Sequence, residues 1–281
     1  MIILKSPDEI ERMAKACRIV AETLKALEGT VRAGVSTREI EEFVEKMVVA
    51  KGAVPAFKGY RNYPSSVCTS VNDEVVHGIP SSLVLQEGDI VSIDLGVFLD
   101  GFYGDGAVTF PVGTISPLAE RLIKVTEESL ALGIERARPG NRISDISHAI
   151  QTHVEKNGFS VVRAFVGHGI GRSLHEEPQV PNFGDPGHGP RLREGMTLAI
   201  EPMVNAGGYD ISILEDGWTA VTADGTLSAH CEDTIAITRG GPRILTKTEK
   251  TLYNLKLNAK GREYRGSGDD RRDTPQCNVQ G

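Results

Sequence analysis

No apolar run in this chain approaches the roughly 20 residues that span a bilayer, so a membrane-embedded protein is not expected. The N-terminus, Met1-Ile2-Ile3-Leu4-Lys5-Ser6-Pro7-Asp8-Glu9, lacks the basic stretch and long apolar core of a secretory signal, and the chain reads as cytoplasmic. Cysteine is scarce, with four at positions 17, 68, 231 and 277 and no Cys-x-x-Cys pair. That spacing excludes a finger-type zinc site, and a disulfide framework is not expected in a cytosolic chain of this size. Excess basic charge is missing too. The net charge is −7 and no stripe of Lys and Arg stands out, so a direct nucleic-acid partner is not expected.

What is present is an ordinary globular composition, 40% hydrophobic and 25% charged over 281 residues, enough for one large domain or two small ones. Glycine is plentiful at 31 residues, which suggests many turns or close backbone approaches. Ser6-Pro7-Asp8-Glu9 combines an N-cap, Pro at the first helical position and Glu at the third. Ile10, Met13, Ala14, Cys17, Val20, Leu24 and Leu27 follow at helical spacing. Ser36-Thr37-Arg38-Glu39 repeats the capping box before Ile40, Phe43, Val44, Met47 and Val48. A third helix is expected from Ser116-Pro117 to before Pro139-Gly140, and a fourth from about Ser144 to Asn157. Strand-like runs lie at Asp89–Leu95, Ala107–Val112, Met196–Ile200 and Thr234–Thr238.

The order helix, helix, strands therefore occurs twice, which predicts an internal duplication. Glu87-Gly88-Asp89-Ile90-Val91-Ser92-Ile93-Asp94 resembles Glu194-Gly195-Met196-Thr197-Leu198-Ala199-Ile200-Glu201, with the acid six residues after the Gly in both. His77-Gly78-Ile79 mirrors His168-Gly169-Ile170. The stretch from Gly261 to Gly281 is polar, rich in Gly, Asp and Arg, and has no apolar period. It is expected to be a disordered tail.

Five residues concentrate the chemistry: Asp94, Asp105, His168, Glu201 and Glu232, each in or beside a strand-like run. An acid at the end of an apolar strand such as Ile90–Leu95 is costly to bury unless it is paired or bound to metal. Hard oxygen donors with one nitrogen suit a pair of divalent transition ions clamping a hydrolytic water. Singly, each has an ordinary alternative: Asp105, in Gly101-Phe102-Tyr103-Gly104-Asp105-Gly106, as a turn residue; His168 as a hydrogen-bonded loop residue; Glu201 and Glu232 as salt-bridged strand ends. Together they point to a dinuclear metallohydrolase.

With these motifs in view the chain resembles the type I methionine aminopeptidases, in their short bacterial form. The matching stretches are Ser66–Pro80, Ile93-Asp94 with Asp105, Gly167–Gln179, Ala199–Pro202 and Ser228–Thr234, within roughly residues 3 to 247. The resemblance implies an α+β pita-bread fold: two pseudo-twofold related halves, a central antiparallel sheet and outer helices. It implies one catalytic domain over 1–247, in halves of about 1–115 and 116–247, followed by a polar tail over 248–281. It implies removal of the initiator methionine from nascent chains, by a monomer that could meet them at the ribosome.

Residue by residue, the resemblance makes Asp94, Asp105, His168, Glu201 and Glu232 ligands of two divalent ions, drawn from Co, Mn, Fe, Ni or Zn. Asp105 and Glu232 would bridge the ions, with Glu201 as general base. His77 would contact the scissile amide or its leaving nitrogen, and His175 the carbonyl oxygen. Tyr60, Tyr63, Cys68, Leu174 and Trp218 would surround the methionine side chain. Asn72, Glu74 and Ser228 match a monovalent-cation site for Na or K.

The chain departs from the pattern at Leu174, Arg61, Cys231 and Asp233, which bears on specificity and metal tuning. Cys68 and Cys231 are expected close enough to the site to make it thiol-sensitive. Two other readings remain at this stage. One is an Xaa-Pro aminopeptidase or dipeptidase of the same fold; the other, a non-catalytic binding protein on this scaffold, is disfavoured by the complete set of ligand-type residues.

Overall fold

The computed structural model describes residues 1–247; positions 248–281, including Cys277 and the expected polar tail, lie outside the described residues. Its helices are α1 (Pro7–Leu27), α2 (Thr37–Ala50), α3 (Pro117–Arg136) and α4 (Ile143–Lys156). The capping boxes form as expected. Ser6 N–H donates to Glu9 Oε2 at 2.8 Å, Ser36 N–H donates to Glu39 Oε2 at 2.8 Å, and each Ser hydroxyl accepts from the Glu N–H. Ser116 caps α3. At α4 the acid acts alone, Asp145 accepting from the Arg142 N–H at 2.7 Å.

The strands are β1 (Val54–Pro55), β2 (Cys68–Val71), β3 (Glu74–Val76), β4 (Ile90–Leu99) and β5 (Phe102–Pro111) in the first half of the chain. In the second half come β6 (Ser160–Val161), β7 (Gly167–Gly169), β8 (Glu176–Val180), β9 (Thr197–Ile200) and β10 (Met203–Asn205). They are followed by β11 (Ile211–Ile213), β12 (Ala220–Thr222), β13 (Ser228–His230), β14 (Glu232–Thr238) and β15 (Gly241–Ile244). The main sheet runs β1-β4-β5-β14-β9-β7-β8, with β2 also on β4 and β15 also on β14. One apolar core packs α1 and α2 against β4; another packs α3 and α4 against β9 and β14. The fold is the antiparallel pita-bread arrangement.

The duplication is visible at the centre. The two middle strands share only two backbone pairs, Glu232 with Ala107 and Asp233 with Gly106. Beyond each end of this short ladder a threonine hydroxyl joins the strands. Thr234 Oγ1 donates to the Asp105 carbonyl at 2.7 Å and accepts from its N–H at 3.1 Å. Thr109 Oγ1 donates to the His230 carbonyl at 2.8 Å and accepts from its N–H at 2.9 Å. Residues 105 and 109 thus recur in 230 and 234, related by a pseudo-twofold axis through the Ala107–Glu232 pair.

The structure closes the turn-residue alternative for Asp105. Asp100 and Gly101, both with positive φ, turn the chain between antiparallel β4 and β5, and β5 begins at Phe102. Gly104 serves packing, since a Cβ there would lie 2.7 Å from the Cys17 amide nitrogen of α1. Asp105 is therefore a strand residue whose flanking glycines let a helix close on the outer face.

Candidate active site

The strand register sets the ligand-type residues in two adjacent rows. Cys68, Asp94, Ala107 and Glu232 are cross-strand partners over β2, β4, β5 and β14. Asp233 pairs with Ile200, so Glu201, the next residue, arrives beside Glu232. Asp105 lies two residues from Ala107 and so projects to the same face. His168 pairs with Ala199, two residues before Glu201. Side chains from four strands and one strand end meet on the inner face of the sheet.

Asp105, His168 and Glu232 are buried, and each offers a ligand atom within 4.8 Å of the others. His168 Nε2 lies 3.6 Å from Glu201 Oε1 and 4.0 Å from Asp105 Oδ2. Its Nδ1 stands 2.8 Å from the Gly169 carbonyl. A carbonyl only accepts, so Nδ1 carries the proton and Nε2 turns a lone pair to the acids.

Burial, with the neighbouring carboxylates adding, pushes Asp94, Glu201 and Glu232 well above the usual carboxylate range. Burial likewise raises Asp105 to about 7, opposed by a hydrogen bond from the Gly106 N–H. Asp94 Oδ1 and Glu232 Oε1 are buried without a hydrogen-bond partner. Orphaned acceptors and crowded acids beside a neutral imidazole are the environment a divalent cation would complete. The residues fit a metal.

These residues form the floor of a cavity of about 130 Å³. His77, His175, Tyr60, Tyr63, Cys68, Leu174 and Trp218, all singled out from the sequence, line it as well. The ring of His175 lies 4.1 Å from that of His168 and stacks on Tyr60, whose hydroxyl is 2.8 Å from His175 Nδ1. Burial first, then His168 and Arg61, depress His175 to about 3, so the ring is neutral near pH 7. His77 adopts φ 63°, with its ring edge-on to Phe165 and Trp218. Trp218 meets Tyr63 edge to face at 5.1 Å, and Tyr63 donates to the Gly78 carbonyl at 3.0 Å.

The segment carrying Leu174 and His175 is clamped from behind. Glu176 Oε1 accepts from the N–H groups of Arg172 and Ser173, and Oε2 accepts from Lys5 Nζ. The Lys5 and Glu176 side chains are 2% and 5% exposed, so the pair is buried.

Asn72, Glu74 and Ser228 do not line the cavity. Ser228 N–H donates to the Asn72 carbonyl at 2.8 Å, while Glu74 accepts from the Val71 N–H at 2.8 Å. Cys231 does not reach the site. Strand alternation turns it into the core beneath α3 and α4, so only Cys68 of the two expected thiols lines the cavity. Its neighbour Asp233 turns the same way, to Thr246 and Lys247.

Two residues escaped the sequence reading. Phe57 lines the cavity from a loop with no motif to mark it. His230 is 2% exposed, with Nε2 3.9 Å from Glu201 Oε2. Its signal lay in the duplication, because it occupies the place in one half that Asp105 occupies in the other.

Inward-facing carboxylates and an imidazole beneath a cavity flanked by two further histidines describe a metal-dependent peptidase. The model of Metallopeptidase family M24 matches residues 11–239, and the chain belongs to that family. Its relatives include a methionine aminopeptidase of Clostridium perfringens, 58% identical over 246 residues, spanning 88% of this chain and 99% of that protein. A methionine aminopeptidase structure from Thermotoga maritima superposes with a TM-score of 0.87 at 49% identity, covering 88% of this chain and all of that one. A prolidase from Pyrococcus horikoshii shares the fold at a TM-score of 0.73 and 27% identity, but only 65% of that chain is covered.

Proposed function

We propose that this protein removes the N-terminal methionine from peptides and nascent proteins. The observation that carries the reading is the convergence of Asp94, Asp105, His168, Glu201 and Glu232 beneath a cavity also lined by His77, His175 and Trp218. Near-full-length likeness to methionine aminopeptidases supports the choice of substrate.

Those five residues would hold two divalent ions, of the kind met by Co, Mn, Fe, Ni or Zn. When bound, such ions supply Lewis-acid polarisation and a lowered water pKa. The chain's own residues do the rest. Glu201 takes the proton of the attacking water. His175, neutral and held through Nδ1 by the Tyr60 hydroxyl, presents Nε2 to the carbonyl oxygen and stabilises the charge that develops there. His77 faces the scissile amide and its departing nitrogen. Tyr63, Cys68, Leu174, Trp218 and Phe57 wall the space for the methionine side chain, whose thioether packs well on aromatic rings. The Asn72–Ser228 junction, with Glu74 beside it, would hold a Na or K ion and steady β2. The reading extends to a cytoplasmic monomer that meets nascent chains at the ribosome.

A proline-directed peptidase of the same fold is the second reading. It is disfavoured by identity, 27% to the prolidase against 49% and 58% to the methionine aminopeptidases. Hydrolysis of Met-Ala-Ser and of Ala-Pro peptides, each with added divalent ions, tests the two together. Metal-dependent release of methionine from Met-Ala-Ser is expected; cleavage of Ala-Pro peptides alone sinks the proposal.

A further inference from the structure

We propose that His230 is a positioning residue for Glu201: its Nε2–H donates to the Glu201 carboxylate and fixes the orientation in which that carboxylate meets metal. The inference rests on Glu201 being a ligand, as proposed above. Three observations carry it. The His230 ring is buried, and its Nε2 has no hydrogen-bond partner although it is shut away from water. Glu201 Oε2 lies 3.9 Å from it, a gap that a small rotation of the carboxylate would close. The backbone beneath is fixed, with both its N–H and its carbonyl bound to Thr109 Oγ1 and a second contact from the N–H to Ser92 Oγ.

A buried imidazole nitrogen without a partner is unfavourable, and an apolar residue of similar size would fill the space without that penalty. The orphan nitrogen therefore makes sense as a donor reserved for a neighbouring group. Ligand carboxylates are commonly oriented by such outer hydrogen bonds. Direct coordination is the weaker alternative, because Asp94, Asp105, His168, Glu201 and Glu232 all line the cavity and His230 does not. The pseudo-twofold axis explains the placement. Asp105 in one half and His230 in the other stand on equivalent strand positions, held by equivalent threonines. One flank of the site received a ligand-type acid, the other a donor facing the acid beside it.

The test is a Co(II) titration of the full chain, followed by visible absorption, on His230→Leu, His230→Gln, Glu201→Ala and the His230→Leu/Glu201→Ala pair. His230→Leu is expected to weaken Co(II) binding roughly 10–100-fold, and His230→Gln, which keeps a donor, to restore most of it. In the Glu201→Ala background His230→Leu is expected to cost little more, because the two act as a unit. Wild-type affinity in His230→Leu overturns the proposal while leaving Glu201 a ligand if Glu201→Ala is weakened. Undiminished affinity in Glu201→Ala overturns the ligand assignment and the proposal with it. A full additional loss in the double variant shows that His230 does not work through Glu201 and overturns the proposal alone. Should His230→Leu fail to fold, His230→Asn carries the same expectation, since its donor is too short to reach.

Discussion

Glu201 carries two proposed duties, one at the metal and one with the water proton, and they separate by substitution. Glu201→Gln keeps an oxygen donor and the side-chain shape but removes the base. It is expected to retain metal, as measured by elemental analysis, and to lose roughly 10²–10⁴-fold in kcat. A fully active variant removes Glu201 from that role. His175 acts differently. Its depressed pKa, about 3, means that it works as a neutral donor, so no loss of rate on the acid side of neutrality is expected from its protonation. At this scale the sequence was most informative. Buried acids are costly wherever they occur, so Asp94, which proves to sit in the middle of β4, and Glu201, just past β9, could be recognised from their apolar flanks without a structure. His230 could not, because nothing local distinguishes a reserved donor from a packed histidine.

Elements bring these residues together from distant parts of the chain. The helices were legible because capping boxes and 3.6-residue periodicity are local signals, as at Ser6–Glu9 and Ser36–Glu39. At Gly101–Gly106 the sequence left both a turn residue and a strand residue open for Asp105, because glycine marks both turns and close contacts, and only the tertiary position of α1 decides between them. The clamp on the Leu174–His175 segment was invisible in sequence, since Lys5 and Glu176 are 171 residues apart. Breaking it with Lys5→Met leaves Glu176 buried without its cation and is expected to cost about 3–5 kcal/mol of stability. Denaturant unfolding measures that loss. Because Glu176 adjoins His175, kcat is expected to fall as well, and an unchanged kcat in a destabilised variant would limit the clamp to a structural role.

The molecule as a whole couples its stability to metal and to pH. The acids on the cavity floor have folded-state pKa values raised above their unfolded ones, with Asp105 at about 7. Without metal the folded protein therefore holds protons that the unfolded chain releases. The corresponding stability is present at low pH and is lost as pH rises through the folded values. A divalent ion binds the deprotonated acids and opposes that loss. The gap in melting temperature between metal-loaded and EDTA-treated protein is thus expected to widen from about pH 6 to about pH 8. A gap that does not change with pH counts against the shared cation site. Among the described residues no helix is long and apolar enough to cross a membrane.

The short central ladder bears on how the protein comes into being during synthesis. With only two backbone pairs between the middle strands, neither half contains the site. The first half supplies Asp94 and Asp105; the second supplies His168, Glu201 and Glu232. On the proposed ligand set, a copy of this chain still emerging from its ribosome has at most four donors until Glu232 appears, fifteen residues before the end of the described region at Lys247. A fragment ending short of Glu232 is expected to show no binding of an ion pair in a Co(II) titration. An enzyme that trims the first residue of other proteins thus gains its last proposed ligand only after both halves of its own sheet have been synthesised.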